Sequence, residues 1–117
     1  MPPTLLIVDD HGAFRATARA LLECDGWDVI GEAGDGTSGI LAARELKPDV
    51  VLLDVRLPDI DGFTVAERLT AGGNGPAVVV TSSSDDPLYA EQARRNGARG
   101  FIPKHDLSGE ALQRLVG

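Results

Sequence analysis

Hydrophobic residues along the chain gather in five short runs: Leu5–Val8, Val29-Ile30, Val50–Leu53, Ala77–Val80 and Gly100–Ile102. Each follows a breaker or a polar turn, and the β-branched content of Val50-Val51 and Val78-Val79-Val80 favours extended backbone. The runs are continuously apolar instead of alternating, which is the pattern of parallel strands covered on both faces. Counted from Thr4, Asp28, Val50, Ala77 and Gly100, successive runs start 24, 22, 27 and 23 residues apart, close to the length of one strand-plus-helix unit.

Between the runs the apolar period lengthens to that of a helix. Phe14, Ala18, Leu21 and Leu22 fall at i, i+4, i+7 and i+8, with Gly26 as the stop. Gly39, Ala43 and Leu46 mark a second stripe, ended by Lys47-Pro48; Val65, Ala66 and Leu69 mark a third, which runs into the loop Gly72–Pro76. A fourth helix is predicted to open near Asp86-Pro87, with proline in its first turn, and to close at Asn96-Gly97. The fifth spans about Gly109–Val116, with Ser108 as N-cap and Leu107 and Leu112 placed as a hydrophobic staple. The rhythm is (βα)5, an α/β class with a doubly wound, five-stranded parallel sheet and right-handed crossovers. In such sheets, sites lie at the carboxyl ends of the strands beside the switch point of strand order. For the order 2-1-3-4-5 that point falls between strands one and three.

The length of 117 residues fits one domain, 1–117, large enough to bury a core without staples. With 11 Lys+Arg against 18 Asp+Glu the formal charge is −7, which argues against nucleic-acid binding by the chain itself. The aromatic content of 4% leaves little for stacking on bases. A lone cysteine, Cys24, excludes a disulfide framework and a Cys-rich zinc site. No apolar run is long enough to span a bilayer, and Met1-Pro2-Pro3 does not open a signal peptide, so a cytoplasmic location is expected.

The first strand ends in Asp9-Asp10 and the third in Asp54, 45 and 44 residues further on, yet the topology makes them neighbours. Two carboxylates roughly 4–5 Å apart repel by about 1 kcal/mol in water and about 4 kcal/mol at an effective dielectric near ~20. One aspartate alone reads equally well as a cap for the first helix; three together favour a shared cation. An all-oxygen set with open positions suits Mg²⁺. Strand four ends in Thr81-Ser82-Ser83-Ser84, and strand five leads through Phe101-Ile102-Pro103 to Lys104. Singly, these are an ordinary polar loop and a solvated lysine. Beside a metal-bound carboxylate, a hydroxyl and an ammonium form a cradle for a phosphoryl group, with Asp54 as nucleophile.

Three segments now carry a resemblance: Val8-Asp9-Asp10-His11, Leu53-Asp54-Val55-Arg56-Leu57-Pro58-Asp59-Ile60-Asp61-Gly62, and Gly97-Ala98-Arg99-Gly100-Phe101-Ile102-Pro103-Lys104. In order and spacing, across essentially the whole chain, the sequence resembles the receiver domain of bacterial two-component response regulators, a flavodoxin-like three-layer α/β/α fold. The resemblance implies transfer of a phosphoryl group from a histidine kinase or phosphotransfer protein to Asp54. It implies Mg²⁺ held by Asp10, Asp54 and the backbone carbonyl of Arg56, with Asp9 joining through water. Lys104 would pair with the phosphoryl group. The switch hydroxyl maps onto Ser82, with Thr81 the alternative, and the aromatic switch residue onto Phe101. The changed surface would be that of helix four, strand five and helix five. Downstream, the resemblance implies a protein target or a helix-turn-helix output domain, and self-association on phosphorylation. The sequence departs from the family at His105, where many receivers have a proline after the lysine.

The remaining residues have plainer readings. His11 and His105 are expected to be solvated, Cys24 to pack late in helix one, and Trp27 to form a partly buried lid on the lower edge of the sheet. Phe101 is also suited to core packing against helices four and five. Arg94, Arg95 and Arg99 read as a solvated helix face more readily than as a dock for an acidic partner. A haloacid dehalogenase-like phosphatase would need an acid two positions after its nucleophile, where this chain has Arg56. A flavin carrier would need a phosphate loop where Asp9-Asp10 would repel the phosphate. A degenerate receiver that only binds partners finds no support, because each acceptor-site position holds suitable chemistry. The sequence therefore predicts a phosphoacceptor switch, not an enzyme with an external product.

Overall fold

Strand β3 (Val50–Asp54) occupies the middle of the sheet because it alone is buried along its entire length, Asp54 included. The computed structural model, which describes residues 2–117, sets four parallel strands around it. These are β1 (Thr4–Val8), β2 (Asp28–Ala33), β4 (Ala77–Ser82) and β5 (Gly100–Pro103), in the order β2-β1-β3-β4-β5. Helices α1 (Gly12–Cys24), α2 (Gly36–Leu46), α3 (Gly62–Thr70) and α4 (Tyr89–Arg95) connect successive strands, and α5 (Gly109–Val116) follows a single 3-10 turn at Lys104–Asp106. Fold class and strand order are those the sequence predicts.

Alternate residues of each strand feed opposite cores. Leu6, Val8, Val51, Leu53, Val78 and Val80 pack with Ile40, Val65 and Ala93 of α2, α3 and α4. Leu5, Ile7, Val50, Leu52 and Val79 pack instead with Ala18 and Leu22 of α1 and Leu112 of α5. Each buried Val or Leu contributes about 1.5–3 kcal/mol. Two cores sharing one sheet are the physical reason why the runs are apolar without alternation.

The helix ends explain where the elements stop. Asp35, Asp61 and Ser108 cap α2, α3 and α5, accepting from Ser38, Thr64 and Ala111 backbone N–H groups at 2.7, 2.9 and 3.0 Å. Gly26 and Gly97, after α1 and α4, adopt φ values of +96° and +88°, which admit glycine without strain. Helix α4 starts at Tyr89, later than predicted. Asp86 accepts from the backbone N–H of Leu88 through its side chain and from that of Tyr89 through its carbonyl, so Asp86-Pro87-Leu88 forms a turn ahead of the helix.

Three side chains differ from expectation. Trp27 is only 5% exposed; its indole N–H donates to the Gly109 carbonyl at 3.2 Å, so it joins the core under α5 instead of covering an edge. Cys24 is exposed. Phe101 packs on the α4 layer, without α5, whose contacts lie on the other face. Arg94, Arg95 and Arg99 are exposed, with Arg95 paired to Glu91 at 2.9 Å, in keeping with a solvated face.

At the outer edges, β5 is four residues long and ends in Pro103. The register of β2 shifts against β1 between Leu5 and Leu6, and Glu32 on β2 is held by Arg15 and Arg19 of α1 at 3.0 and 2.8 Å. Among the described residues, no helix is long and apolar enough to cross a membrane.

Gly62 shows how closely α3 is set against the end of β3. Its N–H donates to the Val55 carbonyl at 2.7 Å, and a Cβ there would run into the Asp54 carbonyl oxygen, a backbone atom with no freedom to yield. Gly62→Ala is expected to lower the unfolding free energy by about 3 kcal/mol, read from urea denaturation, against the usual 1–3 kcal/mol of roughly one overpacked methyl.

Candidate functional site

The in-register pairing of β1, β3 and β4 brings Val8, Leu53 and Val80 abreast, so the residues that follow them converge at one edge. Asp9 leaves β1 with its backbone N–H on the Ala33 carbonyl (3.0 Å) and its own carbonyl on the Arg15 guanidinium (2.5 Å). Its side chain is 1% exposed. Asp54 is the last residue of β3, with a side chain 5% exposed, whereas the Asp10 side chain is 36% exposed. Neither Asp9 nor Asp10 caps α1. The N-cap position is His11, and the Asp9 carboxylate accepts from the His11 backbone N–H at 2.8 Å.

Lys104, delivered by the end of β5, places its ammonium 2.7 Å from Asp9 Oδ2 and 3.4 Å from Asp54 Oδ2. The same ammonium lies 4.2 Å from the centroid of the Phe14 ring, a cation–π contact that fixes its position from the α1 side. Asp54 Oδ1 accepts from the Arg56 backbone N–H at 3.2 Å. Burial and the neighbouring Asp9 charge push the Asp54 carboxyl above its ordinary pKa, while Lys104 and the Arg56 N–H pull it back.

The two candidate hydroxyls part company. Thr81 Oγ1 donates to the Ile102 carbonyl at 2.7 Å and is thereby committed to β5. Ser82, the last residue of β4, is buried, and its Oγ accepts from the Ser84 backbone N–H at 3.1 Å. Phe101 is half-buried and meets the edge of Tyr89 at 5.4 Å between centroids; Tyr89 in turn lies 5.8 Å from Phe63.

Three features escape the sequence. His11 is exposed at the start of α1, as expected, yet its ring also lies over the acids: Nδ1 is 3.1 Å from Asp9 Oδ1, 3.1 Å from Asp10 Oδ1 and 4.0 Å from Asp54 Oδ2. Its place directly after the aspartate pair was the available signal. Tyr89 bridges Phe101 to Phe63, which no spacing suggests. Asp59 fastens the β3–α3 loop to the start of α2, accepting from the Gly36 N–H at 2.7 Å, the Thr37 N–H at 2.9 Å and the Thr37 hydroxyl at 2.7 Å. Those donors, the Thr37 hydroxyl foremost, hold the Asp59 carboxyl well below the usual carboxylate range. The loop they anchor carries Arg56. His105, by contrast, stays at the surface near Asp85 and Asp106.

The donor set suits a cation. Asp9, Asp10, His11 and Asp54 each offer a ligand atom, all within 4.8 Å of one another. Asp9 Oδ2 is buried, and its one close partner is the Lys104 ammonium at 2.7 Å, which Asp54 shares. Buried, crowded carboxylates of this kind are stabilised by a divalent ion with oxygen preference.

Residues 5–116 match the model of the response regulator receiver domain. The regulator BvgA of Bordetella pertussis is 39% identical over 108 residues, which cover 92% of this chain and 52% of that protein. The response regulator GacA of Pseudomonas viridiflava is 34% identical over 112 residues, covering 95% of this chain and 52% of that one. The chain thus spans about half the length of these relatives. Among solved structures, the signal receiver domain of the response regulator NarL from Mycobacterium tuberculosis superposes with a TM-score of 0.88 at 30% identity, over 99% of this chain and 98% of that one. Receiver domains of this family are phosphoacceptor switches of two-component systems and typically bind Mg²⁺ at an acidic cluster. By sequence, fold and the placing of its acids, the chain belongs to the response regulator receiver domain family.

Proposed function

We propose that this chain is switched by phosphorylation of Asp54, the donor being the phosphohistidine of a histidine kinase or phosphotransfer protein. The observation that carries the reading is a buried carboxylate at a strand end, flanked by two further acids and one ammonium. An Asp54 oxygen attacks phosphorus as the donor's N–P bond breaks, and the product is an aspartyl phosphate. Lys104, already 3.4 Å from Asp54, is placed to pair with the incoming oxygens. Asp10, Asp54 and the Arg56 carbonyl would hold Mg²⁺, with Asp9 through water; the ion supplies charge neutralisation on the phosphoryl oxygens. The domain turns over no external substrate and works in the cytoplasm.

Signal leaves the site through β4. A phosphoryl oxygen on Asp54 offers a new acceptor, and Ser82, whose hydroxyl proton has no competing carbonyl comparable to Ile102, is the donor that answers. One charge-assisted hydrogen bond is worth about 1.5–3 kcal/mol, enough to shift a two-state population roughly ten- to a hundredfold. Movement of the β4–α4 loop reaches Tyr89, and Tyr89 meets Phe101. The α4-β5-α5 surface then changes for a downstream protein, an output domain or a second copy of the chain.

Incubation with Mg²⁺ and a small phosphodonor should add one phosphoryl group, read by intact mass, and Asp54→Asn should abolish it. Phosphorylation of Asp54→Asn at an unchanged rate overturns the assignment. With a beryllofluoride mimic, amide shifts should spread from Asp54 to Phe101 and α4 in the wild type and stay near the acids in Ser82→Ala. An unchanged spread in that variant removes Ser82 from the route.

Electrostatics give a further expectation. A carboxyl whose folded pKa is raised binds its proton more tightly in the folded state, so its ionisation opposes folding as pH rises past the unfolded value of about 3.9. Asp54→Asn should therefore raise the urea midpoint at pH 7, and the gain should shrink as pH approaches about 4. Equal gains at both pH values would show that charge is not the cause.

A further inference from the structure

At the opposite end of the sheet from the acids, a cavity of 530 Å³ opens between the ends of α2 and α3, beside the entries to β3 and β4. Its floor is apolar and buried, formed by Ala43, Pro48 and Leu69. Its rim carries three exposed cations, Arg44, Lys47 and Arg68. We infer that this cavity binds a small phosphate-bearing molecule with a flat apolar body, of the nucleoside monophosphate class. The site is separate from Asp54 and does not depend on its phosphorylation.

The three cations are uncommitted. The ion pairs of the chain engage Arg15, Arg19, Arg95, Lys104 and Arg114; among the described residues, Arg44, Lys47 and Arg68 stand outside them. Arg44 and Arg68 lie in the last turns of α2 and α3, where a cation also suits the helix dipole. That accounts for either arginine alone, but not for two guanidiniums and an ammonium around one cavity in a chain of net charge −7. The single acid of the lining, Asp49, is engaged by β1: its carboxylate accepts from the Thr4 N–H at 2.8 Å and the Thr4 hydroxyl at 3.1 Å. Lys47 is, among the described residues, the one non-glycine with positive φ, +50°, at the C-cap of α2 where glycine or asparagine is the relaxed choice. A cation is thus kept where the backbone favours glycine. The far wall is seated by backbone, since a Cβ on Gly75 would overlap the Leu69 carbonyl oxygen.

Three cations suit a group with more than one negative charge, and guanidiniums offer the paired N–H geometry that phosphate oxygens accept. The apolar floor suits a ring, and Asn74 adds an amide donor and acceptor at the rim. The volume falls within the roughly 300–1,000 Å³ of small-ligand pockets. An acidic peptide would meet the cations and leave the floor uncovered.

The test titrates the full chain with AMP, adenosine and inorganic phosphate, read by calorimetry and by amide shifts. AMP should bind saturably, shift the amides of Ala43, Lys47, Leu69 and Gly75, and bind more tightly than adenosine or phosphate. Arg44→Gln and Arg68→Gln should each weaken AMP by about tenfold, the scale of a charge-assisted hydrogen bond. Lys47→Gly, in which glycine takes the positive φ without strain and the fold is kept, should weaken it as well. Arg94→Gln, which removes an exposed cation outside the cavity, should match the wild type. No saturable binding at millimolar AMP, adenosine or phosphate as tight as AMP, or unchanged affinity in the Arg44, Lys47 and Arg68 variants each overturns the inference. So does a glutamate-rich peptide that displaces AMP and binds more tightly, since it would assign the face to a protein partner.

Discussion

The whole architecture answers to one electrostatic constraint: Asp9 and Asp54 are buried side by side at the ends of two adjacent strands. Like charges there oppose folding, and the structure meets the cost with one ammonium, held between the acids by Phe14 below and β5 behind. One ammonium serves two carboxylates, closer to Asp9 than to Asp54, and Asp54 keeps a raised pKa. The arrangement also ties the site to β4 and β5, because the lysine and the hydroxyl come from those strands.

Much of this is legible in the sequence. Continuous apolar runs at near-constant intervals fixed five strands and their parallel sense, because only a sheet covered twice needs them. The acids were legible as a group because the topology, not their spacing, makes Asp9, Asp10 and Asp54 neighbours. What stayed hidden depends on side-chain direction and on local competition. Pro87 signals a helix start, yet Asp86 captures the Leu88 and Tyr89 N–H groups first and delays it. Trp27 and Cys24 lie three residues apart, yet Trp27 is buried with its indole N–H on the Gly109 carbonyl of α5 and Cys24 is exposed. His11 faces the acids because the Asp9 carboxylate takes its backbone N–H and turns the chain back over the site.

Two adjacent hydroxyls illustrate how a strand end divides labour. Thr81, bonded to the Ile102 carbonyl, adds a side-chain tie between β4 and β5 beyond the backbone ladder. Ser82, one residue further, lies past that tie and holds only its own loop. On the opposite flank, Asp59 holds the β3–α3 loop to α2, so the side of the site that carries Arg56 is anchored.

The edges of the sheet bear on how copies of the chain can meet. Strand β5 offers four residues and ends in a proline that lacks an N–H, while β2 departs from regular register beside a glutamate clamped by two arginines. Neither presents the long, flat ladder that strand-to-strand pairing needs, and charge or proline at an edge is how native sheets avoid aggregation. Association is thereby steered away from open-ended β-stacking and towards helical faces, where a contact can close as a finite pair and be made or broken without disturbing the sheet.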